Sequence, residues 1–264
     1  MSGGGQQGTV SALKRGIAVL HCFGEGVPSL SNGEISERTL VPKPTVTRLA
    51  ATLVSLGLLR QDPETERYSL APGVLSLSRA FLSSLDVRAC ARPHMAKLAD
   101  VLGGSVYLGI CDGLEMVVIE SCRARSTLLT VRLDVGSRLP VATSALGRAY
   151  LSSLPILERV PLIAMLTQKN AGERPRLEAG IAQALRDATS HGYCMSLGEF
   201  RAEINSIAVP LTLPGGEHVA VNCGGPAFAF PESRLRDEVA PRLLASARAI
   251  AGDIGGSVRQ SRAA

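Results

Sequence analysis

Residues able to do covalent chemistry are present in this chain, but not at the spacings that chemistry needs. There is no G-x-S-x-G elbow, no G-x-x-x-x-G-K phosphate loop and no H-E-x-x-H pair. The cysteines at 22, 90, 111, 122, 194 and 223 form no C-x-x-C, and four of them lie in or beside apolar stretches, where a thiol packs as a small hydrophobe. His21, His94, His191 and His218 are scattered, so neither a zinc set nor a disulfide framework is expected. No catalytic residue, metal ligand or cofactor is assigned.

The chemistry that the spacing does offer is electrostatic. Residues 38–61 hold Arg38, Lys43, Arg48 and Arg60 and no acidic side chain. A helix carrying Lys43, Pro44, Thr45, Thr47 and Arg48 into the major groove of double-stranded DNA would meet phosphates with Lys43 and Arg48. Thr45 and Thr47 could then reach base edges or thymine methyls. Arg60 and Arg67, on the arms of a hairpin, would touch backbone beside the groove. Read on charge alone, a small helical domain with a basic solvent face, such as a protein-binding winged helix, stays open as the lesser alternative.

Three helices and a hairpin must position these side chains. Leu13, Ile17 and Leu20 repeat at helical spacing; Ser31-Asn32-Gly33-Glu34 has the form of a capping box opening a short second helix. Leu40-Val41-Pro42 ends it. The third helix starts near Lys43-Pro44-Thr45, sets Val46, Leu49, Leu53 and Leu56 on one face, and stops at Gly57. Two short strands around Asp62–Glu66 complete a winged helix-turn-helix over 11–71, after a flexible start at 1–10. A linker helix is predicted over 72–86, with Val74, Leu75, Leu77 and Leu82 as its apolar side.

The rest, 87–255 with a flexible end at 256–264, reads as α+β. Helices are predicted over 91–102, 144–151, 157–166, 176–191 and 231–254. Strands are predicted over 105–111, 116–121, 127–133, 204–211 and 218–223. Thr143–Gly147 puts small residues at a helix start, where exposed amides and the helix dipole favour a carboxylate. Ile204, Ser206 and Ala208 share one strand face, and Ala220, Asn222 and Gly224 another. Taken singly, Ser206 and Asn222 fit a hydrogen bond inside the core as well as a ligand contact. Arg123 and Arg125 are read as residues of a solvated loop, Arg132 and Arg138 stay open between that and an anion contact, and none of the four is taken as a primary contact.

Residues 13–20 (LKRGIAVL), 41–49 (VPKPTVTRL) and 62–70 (DPETERYSL) resemble the winged-helix domain of the IclR family of bacterial transcriptional regulators. The likeness continues through Ala91-Arg92-Pro93, residues 135–140 (VGSRLP), 144–149 (SALGRA) and 207–210 (IAVP). It implies a GAF-like effector-binding domain joined by the linker helix to the reading head, a small-molecule effector, and a homodimer or dimer of dimers. Family positions for the effector match Leu139, Ala145, Leu146, Ser196, Ser206 and Asn222, and the helix start and strand faces add Ser144, Ile204 and Gly224 as candidate effector contacts; the pocket residues suggest an organic or aromatic acid. Leu40 and Glu66 stand where the family has turn glycines, Pro44 replaces a serine, and Glu203 replaces a glycine.

Bulk properties fit without deciding. The 264 residues carry 28 basic and 23 acidic side chains, a net charge of +5, and 45% hydrophobic residues, enough for a sizeable core. Neither a membrane-length apolar run nor a signal-peptide layout is visible, so a cytoplasmic protein is expected. Two other classes stay open on residues alone: a small-molecule enzyme that uses its helical domain to dimerise, and a protein-interaction winged helix.

Overall fold

The computed structural model describes residues 10–24, 26–124, 133–168 and 171–258. The chain divides into two compact units, one reaching to Ser84 and the other beginning at Leu85.

In the first unit α1 (Ser11–Leu20), α2 (Asn32–Thr39) and α3 (Lys43–Ser55) precede an antiparallel wing of β1 (Leu59–Gln61) and β2 (Tyr68–Leu70), and α4 (Gly73–Ser83) follows. Val19, Leu30, Ile35, Val46, Ala50, Leu53, Leu59 and Tyr68 form its core. Leu56, expected on the inner face of α3, is instead exposed, because the helix ends at Ser55 and the chain turns away through Gly57 at positive φ. The capping box is present: Ser31 Oγ accepts from Glu34 N–H, and Glu34 accepts from Ser31 N–H at 2.7 Å. α2 stops at Thr39 because Leu40 takes a left-handed conformation, φ +57°. Glu66, at φ +54°, closes the wing the same way. Both are positions where the family resemblance places glycine.

The second unit opens with α5 (Asp86–Leu102), followed by β3 (Ser105–Asp112), β4 (Glu115–Arg123) and β5 (Arg138–Pro140). Next come α6 (Ala145–Ser153), α7 (Ile156–Gln168), α8 (Arg174–His191), β6 (Cys194–Leu197), β7 (Ile204–Thr212) and β8 (His218–Pro226). A last helix follows, made of α9 (Glu232–Arg234), a π-turn over Leu235–Val239 and α10 (Ala240–Ile254), and β9 (Ser257–Val258) ends the described chain. The sheet is antiparallel in the order β5-β4-β3-β8-β7-β6, with β9 beside β7.

Strand alternation splits its side chains between two cores. Val106, Leu108, Ile207, Val209, Val219 and Val221 lie on the face opposite Tyr107, Ala208 and Ala220, and the latter pack with α6 and α8. α5 begins five residues earlier than its sequence suggests and holds Pro93 inside. Burial of Val87, Ala91, Met95 and Leu98 along one stripe outweighs the backbone bond the proline removes. The short strands β5, β6 and β9 had no pattern long enough to show, and the π-turn interrupts what looked like one continuous helix. The strand expected over 127–133 lies, Leu133 apart, outside the described residues, as do Arg125 and Arg132.

Candidate functional site

The candidate DNA-reading face is the outer side of α3. Val46, Ala50 and Leu53 are buried, which leaves Lys43, Pro44, Thr47 and Arg48 exposed together, while Thr45 is half-buried. Pro44 fits the first turn, where no intrahelical bond is lost. Thr47 has its hydroxyl engaged on both sides, accepting from Asn32 Nδ2 at 2.7 Å and donating to Lys43 O at 3.1 Å. What it presents outward is therefore its methyl group. Asn32, unremarked in the sequence, ties the start of α2 to this face through that bond.

The wing arginines divide. Arg60 is exposed, with Nε donating to Ser69 Oγ at 2.9 Å. Arg67 is committed inward: it donates to Ser29 Oγ and Ser29 O at 3.0 and 3.1 Å and pairs with Glu34 at 2.8 Å. Hydrogen bonds from Ser31, chiefly its backbone N–H, then from its hydroxyl and from Arg67, hold the Glu34 carboxyl down at about 2. Arg67 thus fastens the wing to the start of α2.

The candidate effector site lies on the face of the sheet beneath α6. Cross-strand register aligns Arg123, Ser105, Gly224, Ser206 and Ser196 in one row across β4, β3, β8, β7 and β6, with Tyr107 and Asn222 opposite each other in the next. Ser105, Ser196, Ser206 and Asn222 are all buried. Gly224 is where it is because a Cβ there would come within 2.6 Å of the Ser206 Cβ. Ile204 sits half-buried at the start of β7, and Leu139, on β5, is buried against the same core as Ala145 and Leu146.

Above this row, Ser144 caps α6 by accepting from Gly147 N–H at 3.1 Å while donating to Pro140 O at 2.6 Å. The Ala145 and Leu146 amides, in the first turn, have no acceptor within the helix. Ser196 Oγ donates to Thr143 O at 2.7 Å, so its role is to join β6 to the turn before α6. Asn222 differs: its Oδ1 is buried without a hydrogen-bond partner, an unmet demand that a ligand hydroxyl or amine would satisfy. Arg123, read from sequence as a loop residue, ends β4 in this row, pairs with Asp134 at 2.7 Å and leaves Nε buried and unbonded. Tyr107 and Ser105 were likewise overlooked; two-residue alternation puts them on one face of β3, and the pairing with β8 identifies that face as this one. Among the described residues no group of three or more His, Cys, Asp or Glu is arranged to hold a metal ion.

Comparison with known proteins matches a family domain to each part of the chain. Residues 12–63 match the IclR helix-turn-helix domain and residues 79–252 the bacterial transcriptional regulator IclR C-terminal domain. The HTH-type transcriptional regulator TsaQ1/TsaQ2 of Comamonas testosteroni is 32% identical over 257 residues, covering 97% of this chain and 91% of its own. A crystal structure of an IclR family regulator from Brucella abortus superposes with TM-score 0.84 at 39% identity, over 94% of each chain. An IclR homologue from Microbacterium hydrocarbonoxydans, solved in complex with 4-hydroxybenzoate, shares the fold at TM-score 0.71 and 22% identity, over 93% of this chain and 99% of that one.

Proposed function

The chain belongs to the IclR family of bacterial transcriptional regulators, and from that premise we propose that it binds an operator through α3 and the wing and a small acid beneath α6. The observation that carries the DNA half is the clustering of Lys43, Pro44, Thr47 and Arg48 on the exposed side of a helix whose other side is locked in the core. Lys43, Arg48 and Arg60 neutralise phosphates, and the Thr47 methyl meets a thymine. Arg67 and Thr45 support the reading head from within. The proposed boundaries are 11–71 for that head, 72–86 for the linker and 87–255 for the effector domain.

The effector reading rests on the first-turn amides of α6, Ala145 and Leu146, set over a buried polar row with an unpaired acceptor at Asn222. Leu139, Ser144, Ser196, Ile204, Ser206 and Gly224 shape that space. A carboxylate fits the amides and a hydroxyl fits Asn222, a combination that 4-hydroxybenzoate, the ligand of the Microbacterium homologue, also has. Effector and DNA must favour different states of the protein, since a ligand shifts an equilibrium only by its differential affinity. The protein acts without catalysis and without a cofactor, in the cytoplasm; no helix of the described chain is long and apolar enough to cross a membrane.

A homodimer, or a dimer of dimers, is the working form. α4 supports this: none of its side chains is buried, and Leu75, Leu77 and Phe81 are 67%, 65% and 48% exposed. A helix of 11 residues is marginal in water without a partner for its apolar side, and a second copy supplies one.

Fluorescence anisotropy with the duplex upstream of the chain's own gene tests the DNA half. Affinity should fall steeply with salt, and Arg48→Ala should weaken binding and reduce the slope of log K against log salt by about 1. Affinity no better than for random DNA would defeat the reading. A thermal-shift panel of 4-hydroxybenzoate, benzoate and acetate tests the effector half, because binding to the folded state raises apparent stability.

A further inference from the structure

One buried charge in the second unit is not used by any contact described so far. Arg148, on α6, has a side chain only 5% exposed, and its guanidinium reaches two backbone carbonyls and one carboxylate, each from a different segment. Nε donates to Ala142 O at 3.1 Å, in the turn before α6; Nη1 donates to Met195 O at 3.0 Å, in β6; and both terminal nitrogens pair with Glu199, Nη2 to Oε1 at 2.6 Å and Nη1 to Oε2. Glu199 sits in the loop joining β6 to β7, and its Oε2 also accepts from Leu197 N–H at 3.4 Å. The two carbonyls that Arg148 holds, 142 and 195, each neighbour one partner of the Ser196–Thr143 bond.

α8 is built to admit this pair. Gly180 lies in the interior of that 18-residue helix, where glycine is disfavoured relative to alanine. A Cβ at 180 would lie 2.4 Å from Arg148 Nη2 and 3.1 Å from Glu199 Oε1. The missing side chain is the space the ion pair occupies. A planar fork can meet two carbonyls and a bidentate carboxylate at once, whereas a lysine ammonium would supply a point charge.

We infer that Arg148 and Glu199 are positioning residues for the effector site: the ion pair under Gly180 holds the turn 142–144, strand β6 and the 198–203 loop in the arrangement that ligand binding requires. Neither side chain touches the ligand. The inference rests on the effector reading above, but its first test does not need a ligand. Loss of the pair frees the two segments that border the amides of Ala145 and Leu146, and the site loses affinity because it must be ordered again on binding.

Hydrogen–deuterium exchange on the full-length chain, comparing wild type with Glu199→Gln and Arg148→Lys, reads the fastening directly. Amides of 142–147 and 194–204 should exchange about tenfold faster in both variants, while the central amides of β3 and β8 stay within about twofold of wild type. Unchanged rates in those two segments, or an even rise across the whole domain, would overturn the inference; the second result marks a general stabiliser. Calorimetric titration with 4-hydroxybenzoate then separates the two proposals. Binding about tenfold weaker in Glu199→Gln supports the positioning role, and equal affinity in both proteins overturns it. If wild type itself does not bind this acid, the effector reading fails for that acid, and the exchange rates still decide whether the pair fastens the site.

Discussion

Single residues in this protein are under conflicts that substitution should expose. Leu40 is 90% exposed and held at φ +57°, a conformation that strains a branched side chain and suits glycine. Leu40→Gly should therefore raise stability by roughly 0.5–1 kcal/mol, with the Cβ strain relieved exceeding the flexibility gained by the unfolded chain. Chemical denaturation of the first unit's signal measures this, and a loss of stability would mean the α2–α3 turn is held by contacts of the leucine. Glu34 gives a pH dependence. Its carboxyl is lowered from 4.5 to about 2, so its contribution is fully present above 4.5 and is lost as pH falls toward 2. Melting followed between pH 5 and 2 should show a decline that Glu34→Gln makes shallower. An identical profile in the variant would show that the capping box contributes nothing through its charge.

At the level of elements, glycine positions within helices carry more information than composition suggests. In an ordinary helix Gly180→Ala would stabilise, by about 1 kcal/mol. Here the added methyl meets the Arg148 guanidinium, so the sign should reverse: a lower melting temperature, together with faster exchange in the 198–203 loop. A higher melting temperature with an unaltered loop would show that the ion pair moves aside freely. This element also shows where sequence reading reaches its limit. The capping box at Ser31, the turn at Gly57 and the hairpin at Asp112-Gly113 are local devices, and all are where their residue types put them. Arg148 is different, because two of its three partners, Met195 and Glu199, are 47 and 51 residues away, and nothing near it in sequence announces burial. β6 is four residues long and β5 three, too short for alternation to register, so Ser196 and Leu139 came only from resemblance. Ser105 and Tyr107 became visible as a site only when β8 was laid beside β3.

For the whole molecule, the uncovered apolar side of α4 makes assembly testable apart from the reading face. Leu77→Asp, far in sequence from Lys43 and Arg48, should shift the chain from dimer to monomer by analytical ultracentrifugation and weaken operator binding by about a hundredfold or more through lost avidity. An intact dimer in that variant would place the interface elsewhere. The second unit adds a different kind of consequence. Its strands β7 and β8 pair without a break in register, with Ser206, Ala208, Ala220 and Asn222 turned toward α6 and Ile207, Val209, Val219 and Val221 turned away. A library that randomises Ser206 and Asn222 and spares the alanines and valines around them would vary the proposed site's polar lining while leaving both hydrophobic layers untouched. That separation makes the domain a practical starting scaffold for biosensors, in which most members of such a library should still fold.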